Sequence, residues 1–271
     1  AVTTTLGSGA DTLVASTGND VITAGAGADN ITLGTGDDSV AGGAGIDTII
    51  ETSAGLTSAD TIAGGDGVDI LSISDASTVV DADFTSVTSV ETLTNGLTNG
   101  AQTITLGSLA DASGLATITG AGTGVDTVTV GAGFDNALAI NLATGNDNVD
   151  ASASAAAITF KAAAASITSA DTLKGGTGSS DVFEVTADSN GTGLVFGASA
   201  TGIETITVVA STTHDLSVTT VDGNVTDTTG SLTVDASALT NTAAAIPFVS
   251  AEDSTATINV TGGAGADSLT A

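Results

Sequence analysis

Residues 6–50 divide into five consecutive nine-residue lines, and every line has Asp in its sixth place: Asp11, Asp20, Asp29, Asp38 and Asp47. The eighth places are all aliphatic, namely Leu13, Ile22, Ile31, Val40 and Ile49. A fixed period of this kind constrains a chain more than its length does, because each line must become the same local structure. Glycine clusters in the first four places, where a turn can use positive φ without a Cβ penalty. The last three places form a minimal strand with its middle residue pointing inward. A short strand and a sharp turn, repeated, wind a coil of parallel strands with turns stacked over turns. The predicted fold is therefore all-β, a parallel β-solenoid.

The frame continues beyond this block. After a four-residue insertion, residues 51–54, it resumes as "GLTSADTIA" and "GGDGVDILS", which carry Asp60 and Asp69. "AGTGVDTVT", "VGAGFDNAL" and "LATGNDNVD" supply Asp126, Asp135 and Asp147, and a last line, "GGAGADSLT", holds Asp267. "SITSADTLK" supplies Asp171, while Asp181 in "GGTGSSDVF" falls one residue out of phase. A longer period overlies the short one: "LTSADTIAGG" recurs as "ITSADTLKGG" 111 residues later, and "VTSVETLT" loosely as "ATGIETITV" after 113, as a duplicated module would.

Stacked turns place equivalent Asp residues roughly 4.8 Å apart. Like charges at that distance repel by about 1 kcal/mol even in water. One aliphatic residue per line buries too little surface to offset this and the ordering of a glycine-rich backbone. The chain has 31 Asp and Glu against two Lys, Lys161 and Lys174, for a formal charge of -29, so protein cations cannot neutralise the column. A divalent cation between turns can. Carboxylates with turn carbonyls in a flexible loop suit Ca²⁺ better than Zn²⁺ or Mg²⁺.

The lines resemble the G-G-x-G-x-D-x-U-x pattern of the repeats-in-toxin (RTX) family, best in "GGAGIDTII", "GGDGVDILS" and "GGAGADSLT". The resemblance implies a right-handed parallel β-roll with two lines per turn. It implies several Ca²⁺ ions held by the sixth-place Asp side chains and by glycine-turn carbonyls. Carried onto this chain, Asp11, Asp29 and Asp47 lie on one edge and Asp20 and Asp38 on the other. The further metal ligands expected are Asp60, Asp69, Asp126, Asp135, Asp147 and Asp267, with turns built on Gly25, Gly27, Gly34, Gly36, Gly43, Gly45, Gly65 and Gly67. Residues 15–19 lack the second-place Gly, and Ser58 stands where a fourth-place Gly belongs.

Five segments are expected: an RTX-type roll over 1–72, an irregular β-solenoid segment over 73–118, a second RTX-like block with an Ala-rich insert over 119–187, a β-rich module over 188–260, and the start of a further repeat at 261–271. The Ala-rich stretch 151–168 fits a short helical turn or an Ala-packed rung equally. Because the chain begins at Ala1 and ends inside a repeat line, it reads as a processed product or a fragment.

The scarcity of Lys and Arg argues against nucleic acid and anionic membranes as partners, and no apolar run is long enough to insert in a bilayer. There is no Cys, so any cross-link must come from elsewhere. His214, the only His, has Asp215 beside it but no nucleophile elbow, and the glycine lines lack the Lys of a phosphate loop. No enzyme is expected. Asp81, Asp83, Glu184 and Asp227 read as solvated loop charges, and Glu91 and Glu204 as weak ligand candidates. Paired Thr-x-Thr elements read as ordinary strand residues.

The composition is similar to that of RTX surface-layer proteins. It leads to an extracellular protein of the bacterial cell surface, exported by type I secretion, whose partners are copies of itself and, secondarily, cell-surface polysaccharide. Exposed strand edges at the ends of a solenoid would supply the joint. The alternative is a Ca²⁺-binding spacer, or a carbohydrate- or ice-binding segment, of a large secreted adhesin.

Overall fold

The computed structural model describes residues 1–76, 78–96, 100–120, 122–187, 193–209, 217–221, 231–240, 247–250 and 257–270. Among them the structure is almost entirely short parallel strands. The repeat block gives strands β1 (Thr3–Thr5), β2 (Thr12–Val14), β3 (Val21–Ala26), β4 (Asn30–Thr32), β5 (Ser39–Ala44), β6 (Thr48–Glu51), β7 (Thr61–Asp66) and β8 (Ile70–Ile73). Odd-numbered strands pair with odd and even with even: β1 on β3 on β5 on β7, and β2 on β4 on β6 on β8. Two lines thus make one turn, and equivalent residues repeat every 18 positions.

This is the expected β-solenoid. Most strands alternate in burial, as in Val21–Ala26, because Val, Ile and Thr suit a pleated ribbon with one face inward. The inward residues stack in register: Ile22, Val40 and Ile62 under one sheet, and Ile31, Ile49, Leu71 and Leu93 under the other, each at most 2% exposed. The insertion at residues 51–54 lengthens one turn to 22 residues without breaking either stack.

By its internal contacts the chain forms two compact units, Ala1–Leu138 and Ala139–Ala271, a division that falls inside the 119–187 stretch. In the first unit, the ladder of β2, β4, β6 and β8 continues through Thr92–Asn95 and Thr117–Thr119. Here the turns lengthen, and Phe84 and Phe134 fill the wider interior. A one-turn helix, Ser108–Ala112, interrupts the strands; its first N–H groups are taken by Asp81, which accepts from Gly107 (2.8 Å), Ala110 (2.9 Å) and Leu109 (3.3 Å). Asp81 is thus a cap and not the solvated charge the sequence suggested. Asp83 likewise accepts the Val80 N–H at 2.8 Å.

The second unit repeats the parallel ladder, with Phe160, Phe183, Ile206 and Val234 in one inward column. Phe196 meets Phe183 edge to face, 5.2 Å between centroids. The Ala-rich stretch resolves into a strand, Ile158–Ala163, followed by a 3₁₀ turn, Ala164–Ser166, so both readings hold in part. Small side chains let that rung pack closely while Ile158 and Phe160 fill the core.

Candidate metal centre

Two columns of carboxylates run along the edges of the first unit. On one edge the backbone N–H of each sixth-place Asp donates to the carboxylate one turn later: Asp11 to Asp29 (2.7 Å), Asp29 to Asp47 (2.8 Å), Asp47 to Asp69 (2.8 Å) and Asp69 to Glu91 Oε2 (2.8 Å). On the other, Val2 donates to Asp20, Asp20 to Asp38 (2.7 Å) and Asp38 to Asp60 (2.7 Å). One oxygen of each of these carboxylates after Asp11 is therefore a charge-assisted rivet between turns. Except for half-buried Asp11 and Glu91, these acids are at most 2% exposed. Apolar packing alone does not call for so many buried anions.

The second oxygen divides the acids into two groups. In some lines it is satisfied by its own turn: Asp11 accepts Gly7 N–H (3.1 Å), Asp20 accepts Ser16 N–H (3.3 Å), and Asp60 accepts both the Thr57 N–H (2.7 Å) and hydroxyl (3.1 Å). In Asp29, Asp38, Asp47 and Asp69 the corresponding Oδ2 is buried with no hydrogen-bond partner. An unpartnered buried carboxylate oxygen is costly unless something cationic meets it. Lys161 and Lys174 cannot serve, since they pair with Glu184 (3.3 Å) and Asp150 (2.7 Å) on neighbouring strands. Glu184 is consequently an ion-pair partner and no free loop charge.

Glycine turns bring backbone oxygens to the same place. Gly43 and Gly45 adopt φ of 115° and 134°, and a side chain on either would strike the carbonyl of Gly25 or Gly27 in the turn below. At Gly42 the space a Cβ would fill is bounded by Asp47 Oδ2 and, 2.5 Å away, by the Gly64 carbonyl oxygen of the next turn. The orphan carboxylate oxygen and a turn carbonyl thus converge. Gly25, Gly27, Gly36, Gly65 and Gly67 share the positive φ, while Gly34 needs its missing Cβ only because Ser16 O lies against it. Among the described residues no three acidic or His side chains gather in one cluster, so any ion here is met by one or two carboxylates and by carbonyls. That donor set is all oxygen and suits Ca²⁺.

The electrostatics agree with an anionic site awaiting a cation. Burial pushes the Asp38, Asp47 and Asp69 carboxyls above the ordinary range; their backbone N–H partners oppose this and neighbouring carboxylates add to it. Glu51, at the end of β6, is pushed up to about 7, first by burial and further by Asp38 and Asp60.

The remaining predicted ligands are placed differently. Asp126 is buried and accepts from Gln102 N–H (2.9 Å) and Asn95 (3.4 Å). Asp147 is buried and its N–H donates to Asp171 (2.7 Å), whose second oxygen is held by Thr168 just as Thr57 holds Asp60. Asp135 is exposed, with its N–H on Asp111 (3.2 Å), and Asp267 is exposed with its carboxylate over Gly262. Asp181, read as out of phase, in fact joins a column: it accepts from Ile158 (2.7 Å) and Gly176 (2.8 Å) and donates to Glu204 (2.8 Å). The extra residue is taken up in the turn before it, which counting in nines could not reveal. Asp75, also missed, accepts from Ser53 N–H at 2.7 Å. His214, Asp215 and Asp227 lie outside the described residues.

Fold and edge together define a parallel β-solenoid with buried acidic columns along its turns. Residues 5–40 and 33–50 match the family model of the RTX calcium-binding nonapeptide repeat, in four copies. Comparison with curated proteins found no match, and comparison with solved structures found none either. No helix among the described residues is long and apolar enough to cross a membrane.

Proposed function

We propose that the chain is a non-catalytic, extracellular structural β-solenoid that folds on binding Ca²⁺ and assembles with copies of itself into a bacterial surface layer or filament. The observation that carries the calcium part is the set of buried Oδ2 atoms on Asp29, Asp38, Asp47 and Asp69 without partners, with the Gly64 carbonyl converging beside that of Asp47 and the Ser89 carbonyl beside that of Asp69. Weak sites of about 10⁻⁴ to 10⁻³ M suit calcium-rich surroundings outside the cell. In a calcium-poor cytosol the same carboxylates repel and hold the chain unfolded for export. Asp29, Asp38, Asp47 and Asp69 are the first ligands in this reading. Asp11 and Asp20 complete the columns, and Asp60 and Asp171 are self-satisfied rungs that hold the ladder without an ion.

Assembly follows from charge. With a net charge of -29 and both lysines paired within the chain, copies repel unless a divalent cation bridges them. Val14 and Val21 on the strands, and Ile46 and Val68 in the turns, are exposed and supply contact area once the repulsion is cancelled. The test has two stages. Calcium added to chelated protein, followed by calorimetry and circular dichroism, gives stoichiometry and coupled folding; imaging with and without Ca²⁺ then follows assembly. Ordered sheets or fibres only with Ca²⁺ are expected. Native spectra in EDTA would refute the calcium reading, and a calcium-loaded persistent monomer that binds polysaccharide would favour the adhesin segment.

A further inference from the structure

The acidic column does not stop where the repeat pattern does. Asp69, 0% exposed, has an unpartnered Oδ2, and this atom lies 2.5 Å from the position a Cβ on Gly64 would take. The Ser89 carbonyl oxygen lies nearer still to the same position. One turn earlier the corresponding space at Gly42 is bounded by Asp47 Oδ2 and the Gly64 carbonyl, so Ser89 stands where a repeat glycine would. Its backbone differs from theirs, since neither Gly42 nor Gly64 has a positive φ. Ser89 is the one non-glycine with positive φ among the described residues (51°), a backbone state that side chains disfavour, and its carbonyl lies against Gly64. Glu91, two residues on, accepts the Asp69 N–H at 2.8 Å and fixes the carboxylate beneath.

Resting on the calcium reading above, we propose that Asp69 Oδ2 and the main-chain carbonyl of Ser89 hold a further Ca²⁺ beside Gly64, with Glu91 as the positioning residue. Nothing in the sequence of "VTSVETLT" carries the glycine motif, so this position extends the ion ladder into a segment that the repeat pattern does not reach. The second unit supplies an internal contrast. Gly202 (φ 64°) occupies the place of Ser89, and its carbonyl lies against Gly175, but Asp181 Oδ2 already accepts the Gly176 N–H at 2.8 Å. With that oxygen satisfied, the second unit needs no ion at this turn.

Equilibrium dialysis of the full chain against Ca²⁺ decides it. Relative to wild type, Asp69→Asn, Gly64→Ala and Ser89→Val each lose one ion, and the Asp69→Asn/Gly64→Ala double variant loses no more than one. Ser89→Gly keeps the ion and, in EDTA, melts higher than wild type. Asp181→Asn keeps the full count. If wild type binds ions and Asp47→Asn loses one while Asp69→Asn or Ser89→Val loses none, the inference is overturned and the calcium reading survives. If wild type binds none, both fall. Because Gly64→Ala also threatens folding, the isosteric Asp69→Asn count alone is sufficient to overturn the proposal.

Discussion

Replacing Asp47 with Asn separates the two jobs of one carboxylate. The amide oxygen can still accept the Asp29 N–H that Asp47 Oδ1 now takes at 2.8 Å, so the rivet between turns survives. What changes is the other atom, a buried oxygen without a partner that becomes an amide with no charge. Without calcium this removes a desolvated anion stacked between Asp29 and Asp69 and relieves repulsion of about 1 kcal/mol, so the variant unfolds at higher urea than wild type. With calcium the sign reverses. An ion present at about 100 times its Kd stabilises the folded chain by about 2.7 kcal/mol, and the variant forfeits most of that. The two-condition experiment is urea unfolding in EDTA and in saturating Ca²⁺, with Asp60→Asn as comparator, because Asp60 has both oxygens hydrogen-bonded to Asp38 and Thr57. A shift in the same direction under both conditions would sink the metal assignment for Asp47.

Three further outcomes follow from the same geometry. Without calcium, Glu51, whose folded pKa of about 7 lies above its ordinary 4.5, adds stability that is full below pH 4.5 and is lost as pH rises to about 7; Asp38, Asp47 and Asp69, also raised, act in the same sense. Unfolding midpoints in EDTA should therefore fall as pH rises, and in Ca²⁺ they should rise, since protons and the ion compete for the same oxygens. Thr57→Val removes the hydroxyl donor to Asp60 Oδ2 and leaves the Thr57 N–H in place; it should cost about 0.5–1.5 kcal/mol equally in EDTA and Ca²⁺, read from urea midpoints. Gly45→Ala forces a side chain into a φ of 134° and against Gly27 O; it should destabilise by more than about 1 kcal/mol and lower calcium stoichiometry, measured by dialysis.

The repeat lines reveal their own geometry because nine-residue periodicity in Gly, Asp and aliphatic residues fixes turn, edge and core at once. Asp11 through Asp47 fall on the two edges that counting assigns, Asp60 and Asp69 continue them, and Ile22, Ile31, Val40 and Ile49 fill the interior. Residues outside the period are illegible for an equally physical reason. The Thr57 lock on Asp60 looks in sequence like a failed glycine line, since a hydroxyl and an N–H substitute for a ligand that no pattern names. Asp181 looks misplaced because turns can absorb a residue while the rung contacts keep phase. Asp81 caps a helix of one turn that alternating Thr and Leu do not announce. Glu91 and Glu204 continue the columns with a longer side chain, a substitution visible only when the partner N–H is seen.

The lengthened turn at residues 51–54 has a practical corollary. Both edges advance together from 18 to 22 residues there, and the stacked oxygens do not lose step. The molecule keeps time by revolutions and is indifferent to how much chain each revolution spends at a corner. A foreign peptide spliced beside solvent-facing Ala54 would accordingly ride on the outside of the spiral as cargo, displayed at a fixed height, while the mineral spine beneath it stays in phase.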